Sequence, residues 1–84
     1  MPEIARFFGI VIKMYFIQGE HNPPHFHALY GEEMGEFDIK TLKMVRGGLS
    51  PRAVSLVREW AKLHQEELLE MWNTKKLQKL PPLV

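Results

Sequence analysis

The dipeptide Ser50-Pro51 divides this chain into two stretches of different hydrophobic period, and that change limits the folds open to it. Serine before a helix accepts a hydrogen bond from a free amide, and proline in the first helical position loses nothing by lacking an N–H. Beyond that start, Val54, Val57, Ala61, Leu68 and Trp72 line one face of a helix, widened by Ala53, Trp60 and Met71. Arg52, Glu59, Lys62, Glu66 and Glu70 occupy the opposite face, which is expected to be wet. The spacing predicts one long helix over about 51–75, with Lys75, Lys76 and Lys79 at the negative pole of its dipole. The tail Leu80-Pro81-Pro82-Leu83-Val84 cannot prolong it.

Before Ser50 the period is two. Strands are expected within residues 7–49. In the first, Phe8, Ile10, Ile12, Met14 and Phe16 fall on one side, with Val11, Lys13 and Tyr15 on the other. The run Gln18-Gly19-Glu20-His21-Asn22-Pro23-Pro24 reads as a turn. A second strand is expected at His25–Tyr30, a third at Met34–Ile39 after Gly31-Glu32-Glu33, and a short fourth at Met44–Arg46 before Gly47-Gly48. These stripes are buried most simply in a single α+β domain spanning 1–84. It would be a small antiparallel sheet of three to four strands with one long C-terminal helix packed across one face.

The composition narrows the function classes. With 84 residues the chain has room for one small domain, which typically buries about 60% of its unfolded surface. The absence of cysteine rules out a disulfide scaffold, a thiolate zinc finger and a cysteine nucleophile. Eleven Lys and Arg against ten Asp and Glu give a net charge of +1, so bulk charge points to no polyanionic partner. The most apolar stretch, Phe7 to Ile17, is interrupted by Lys13 and falls short of the roughly 20 residues of a bilayer span. No secretory cleavage pattern follows it, and the Met1-Pro2 start reads as a cytoplasmic chain.

Chemistry concentrates in His21-Asn22-Pro23-Pro24-His25-Phe26-His27. Strand alternation sends His25 and His27 one way and Phe26, Ala28 and Tyr30 the other. If the apolar set faces the helix, both imidazoles stand on the open face. Likewise Phe37 and Ile39 turn inward, and Glu36 and Asp38 outward. Should these two strands pair, both histidines and both carboxylates would share one surface beside Lys13 and Tyr15.

Three chemistries fit such a surface. His25 and His27 with Glu36 make a divalent-metal set suited to zinc, nickel or manganese. His25, His27 and Asp38 have the makeup of a general base with an orienting partner, and RNA hydrolysis is the reaction considered. Stacked rings with Arg6, Lys13, Lys40, Lys43, Arg46 and Arg52 nearby would suit nucleic-acid binding. Cross-strand His/Glu pairs are also ordinary surface stabilisers, and that structural reading weighs against each of the three. His64 falls on the apolar helix face, where a lone histidine reads as a hydrogen-bonded core residue. Gly19, His25, His27 and Glu32 imitate the first cupin motif, but no second motif follows and the chain is too short for that barrel.

The segments Met1–Ile10, His21–Ala28 and Leu49–Ala53, with Trp60, resemble a bacterial family, domain of unknown function 4160. The positions matching its motif are His21, Pro24, His25, Phe26, His27 and Gly31. The resemblance implies a bacterial cytoplasmic protein and carries over no catalytic role. It also implies a small protein partner, domain of unknown function 2442, in a toxin–antitoxin-like gene pair. The resulting expectation is a non-enzymatic interaction or regulatory module, with self-association left open. A His-based or metal-dependent hydrolase and a nucleic-acid-binding module are the alternatives.

Overall fold

The computed structural model describes residues 3–16 and 23–83. Five strands, β1 (Glu3–Phe7), β2 (Ile10–Lys13), β3 (His25–Tyr30), β4 (Glu33–Asp38) and β5 (Met44–Gly47), precede two helices, α1 (Pro51–Leu63) and α2 (Gln65–Thr74). The strands form one antiparallel sheet in sequence order. The α+β class and the antiparallel sheet stand as expected, but the counts of three to four strands and one long helix are corrected to five and two. The expected turn residues Gln18–Asn22, His21 among them, lie outside the described residues.

The extra strand, β1, starts at Glu3, ahead of the 7–49 span in which strands were expected, and a hairpin at the head of the first expected run joins it to β2. Phe8 and Gly9 both take positive φ, 49° and 81°, the combination a two-residue turn needs to match strand twist. Phenylalanine is rare in that conformation, so the sequence carries no ordinary turn signal there. The turn removes Phe8 from the buried stripe and leaves it 60% exposed, whereas Ile10, Ile12 and Met14 are fully buried. In β1 the register with β2 slips between Glu3 and Ala5, and the adjacent residues Ile4 and Ala5 are both buried. Arg6 donates to Glu3 at 2.7 Å. That hydrogen bond, aided by the guanidinium charge, holds the Glu3 carboxyl below its usual range and raises Arg6 in turn. In full solvent such a pair adds little to stability.

α1 begins where the sequence places it: Ser50 Oγ accepts from the Ala53 amide at 3.3 Å, and Pro51 follows. Its face of Ala53, Val57, Trp60 and Ala61 is buried. Trp60 is the centre of the core. It stacks on Phe7 at 5.6 Å between ring centroids and meets Phe26 edge-on at 6.1 Å. Phe26 in turn stacks on Phe37 at 5.4 Å. The Trp60 indole N–H donates to the Pro81 carbonyl at 2.8 Å, and the Leu80 amide donates to the Ile4 carbonyl at 2.9 Å. The proline-rich tail therefore packs, strapping the edge strand β1 to the helix layer.

The helix breaks at His64, where φ is −120° and ψ is 20°. Gln65 explains the break. Its side-chain amide donates to the carbonyls of Ile39 (2.8 Å) and Lys40 (3.0 Å), pinning the joint to the end of β4. His64 Nδ1 lies 2.9 Å from Glu67 Oε1, and its ring packs on Trp60, so its structural role agrees with the sequence reading. Beyond the joint, α2 buries Leu68 and Met71 and brings Trp72 to 4.9 Å from the His25 ring. α2 closes on Lys75 in the left-handed conformation, its ammonium 4.5 Å above the Trp72 ring. Among the described residues no helix is long and apolar enough to cross a membrane.

Candidate metal centre

The parity expected of β3 is present: Phe26 and Ala28 are fully buried, and the histidines take the other face. Tyr30 departs from it. It is the last residue of the strand and is 41% exposed. β3 and β4 are direct neighbours, with His25 opposite Asp38 and His27 opposite Glu36. The register extends the second of these pairs across the whole sheet, as Glu3, Lys13, His27, Glu36 and Arg46.

The structure brings His25, His27 and Glu36 together. One ligand atom from each lies within 4.8 Å of the other two. His27 Nε2 is 3.2 Å from Glu36 Oε1, and His25 Nε2 is 4.0 Å from the same oxygen. Ligand atoms about 2.0–2.2 Å from a zinc-like ion and arranged tetrahedrally sit roughly 3.4 Å from one another; the His27–Glu36 separation is close to that, and the His25 side would draw in to share the ion. His25 Nδ1 lies 2.9 Å from the Pro23 carbonyl. A carbonyl only accepts, so Nδ1 is the donor here, which leaves Nε2, on the side of Glu36, as the ring atom available to an ion. This is the outer support that metal-binding histidines characteristically have. Tyr15 meets the His27 ring edge-on at 4.9 Å.

One expectation needs correction. His25 does not stand on an open face: it is only 5% exposed, covered by Trp72 from α2. α2, on the far side of the break at His64, supplies that cover. His27 and Glu36 are half-buried. The group is therefore sheltered on one side and open on the other, where a cavity of about 190 Å³ is lined by Pro23, His25, Glu36, Asp38, Val45 and Arg46.

The remaining candidates are distributed differently. Asp38 borders the cavity, but its Oδ1 accepts from the amides of Lys40 (2.7 Å) and Thr41 (3.1 Å), which fixes the carboxylate in the β4–β5 turn. Pro24 contributes its carbonyl to the Ile39 amide at 2.9 Å. Phe26 points into the core, and Gly31 takes φ +60° in the β3–β4 turn. His21 lies outside the described residues, and His64 is not part of the ligand group. Of the six cations considered for nucleic acid, Lys13 and Arg46 share the row of His27, Arg6 is engaged by Glu3, and Arg52 lines a separate cleft with Phe8 and Tyr30. Sequence reading had placed Arg46 only among those cations. Its position across from Glu36 follows from an irregularity in β5, where Val45 is passed over in the pairing.

No curated protein and no solved structure matches this chain. A family model does match, over residues 9–73, a span that includes β2 to β5 and all but the last residue of α2. β1 and the tail that straps it lie outside that span. The matched segment contains every residue of the ligand group and of the cavity wall, and by it the 84-residue chain belongs to the family described as Domain of unknown function (DUF4160).

Proposed function

We propose that this domain is a small metal-dependent hydrolase whose divalent ion is held by His25 Nε2, His27 Nε2 and a carboxylate oxygen of Glu36. One observation carries the reading: two of the three ligand side chains, His25 and Glu36, are also walls of the cavity. A closed set of four protein ligands suits a structural ion, whereas three ligands beside a cleft leave a position for water. An ion held there would supply a water nucleophile at neutral pH. The chain's own contribution is to orient the ligands: the Pro23 carbonyl sets the His25 tautomer, and Trp72 shields that ring from solvent.

Calorimetric titration with zinc, nickel and manganese tests this, followed by assay of the loaded protein on an activated phosphodiester and on RNA. Stoichiometric binding of at least one ion, with turnover lost on chelation, is the expected result. A protein that retains none of the three ions contradicts it.

A second reading keeps the interaction module. β5 ends the sheet opposite the strapped edge, and Val45 on it is 59% exposed. An uncovered edge strand accepts a strand from another chain. The partner proposed is the small domain of unknown function 2442 protein of a toxin–antitoxin-like pair. Co-expression should yield a stable complex that Val45→Lys weakens; separate elution of the two proteins at micromolar concentration speaks against it.

A further inference from the structure

We infer that the cavity beside the ligand group is a subsite for a phosphoryl group, bound between the metal position and the Arg46 guanidinium. The inference rests on the metal reading above and adds to it the substrate class.

Size comes first. Sites for drug-sized ligands and cofactors usually span about 300–1,000 Å³. The cavity here is about 190 Å³, the room of roughly six waters at 30 Å³ each, which suits a tetrahedral oxyanion with some solvent. Four of its six lining residues, His25, Glu36, Asp38 and Arg46, carry polar or charged side chains, beside Pro23 and Val45.

Arg46 gives the second argument. It stands directly across from Glu36 in the β4–β5 register, yet among the described residues it forms no ion pair. Glu36 directs Oε1 to the histidines instead. The five donors of a guanidinium match phosphoryl oxygens two at a time. The irregularity at Val45 places the consecutive residues Val45 and Arg46 both along the cavity, which a regular strand would not do.

Charge gives the third argument, and it makes the proposal specific. With neutral imidazoles, Glu36 and Asp38 outweigh Arg46, so the empty site repels an anion. A divalent ion reverses the balance. Phosphoryl binding is therefore conditional on the metal, and by linkage the phosphoryl group must raise metal affinity by the same factor.

The test uses the full chain loaded with cobalt(II), with inorganic phosphate as probe and ³¹P line broadening as readout. Phosphate should broaden with the loaded wild-type protein and far less with the metal-free protein. Arg46→Gln, a change at an exposed position, should weaken phosphate binding roughly ten- to a hundredfold while leaving cobalt affinity unchanged. Cobalt affinity measured with and without phosphate should differ in wild type by the factor seen for phosphate. A phosphomonoester and a short RNA form two further arms, and Arg46-dependent binding of either supports the subsite and names its source. Equal phosphate binding by wild type and Arg46→Gln overturns the proposal while the metal reading stands. So does acetate displacing phosphate at equal concentration, which makes the cavity a carboxylate site. Failure to bind cobalt, zinc, nickel and manganese alike removes the metal reading itself and the subsite with it, and the two failures are thereby distinguished.

Discussion

Trp60→Ala is expected to destabilise the domain by about 3–5 kcal/mol, the usual cost of emptying a buried aromatic position. A domain of this size holds roughly 4–13 kcal/mol in all, so the change removes a large share of it. The melting temperature should fall by roughly 15 °C or more, read by circular dichroism. Trp60 is fully buried, and its ring touches Phe7 from β1, Phe26 from β3 and His64 at the helix joint. Its N–H also holds the tail through Pro81. Trp60→Phe separates the two roles: most ring packing survives, the bond to Pro81 is lost, and a smaller cost of about 1–2 kcal/mol is expected. A melting temperature within a few degrees of wild type for Trp60→Ala would mean that this ring is not the centre of the core.

The second large effect concerns the metal. Zinc at a hundred times its dissociation constant should stabilise the folded state by about 2.7 kcal/mol, provided the unfolded chain does not compete. For a domain of this length that is a rise of roughly 10–20 °C in melting temperature. The double variant His25→Ala/His27→Ala should lose this response and bind zinc more than about a hundredfold less tightly, since loss of an outer-shell support alone costs 10–100-fold. His25 is buried against Trp72, so the double variant also loses packing and starts from a lower melting temperature without metal. The difference on adding zinc is therefore the quantity to compare. Glu36→Gln offers a check with less disturbance, because it keeps the side-chain shape and removes the carboxylate. A zinc-induced rise of equal size in wild type and both variants would place the ion elsewhere.

The parts of this fold that were legible in the sequence are those with strong local chemistry. Ser50-Pro51 marked the start of α1, and the alternation in His25–Tyr30 and Met34–Ile39 gave the inward set and the outward side of the histidines and carboxylates, while the pairing that sets His27 opposite Glu36 came only with the structure. Two features were not legible, one for a local reason and one because its contacts lie far apart in sequence. The hairpin at Phe8-Gly9 uses an aromatic residue in a conformation it rarely adopts, with only one glycine to mark the turn. The break at His64 depends on Gln65 reaching the carbonyls of Ile39 and Lys40, with no proline or glycine at the joint. One trace of it exists, since the apolar stripe passes from Ala61 to Leu68 with no apolar residue at 64 or 65.

The cover that α2 lays over His25 decides the nature of the site. Two exposed imidazoles on a wet sheet, paired across strands with carboxylates, would be common and carry little meaning. Here Trp72 of α2 covers His25, the Pro23 carbonyl holds its Nδ1–H, and a cavity lies on the side of Arg46. Arg46 itself was visible in the sequence only as one cation among several. Nothing in Val45-Arg46-Gly47 announces the slipped register that sets it across from Glu36.

X-ray absorption at the zinc edge of the loaded protein bears most directly on the claim that one divalent ion sits among these three side chains. The account predicts a first shell of nitrogen and oxygen at about 2.0–2.2 Å, with the multiple-scattering signature of two imidazoles that His27→Ala reduces to one. A spectrum of hexa-aquo zinc, or two imidazoles still present in His27→Ala, would contradict it.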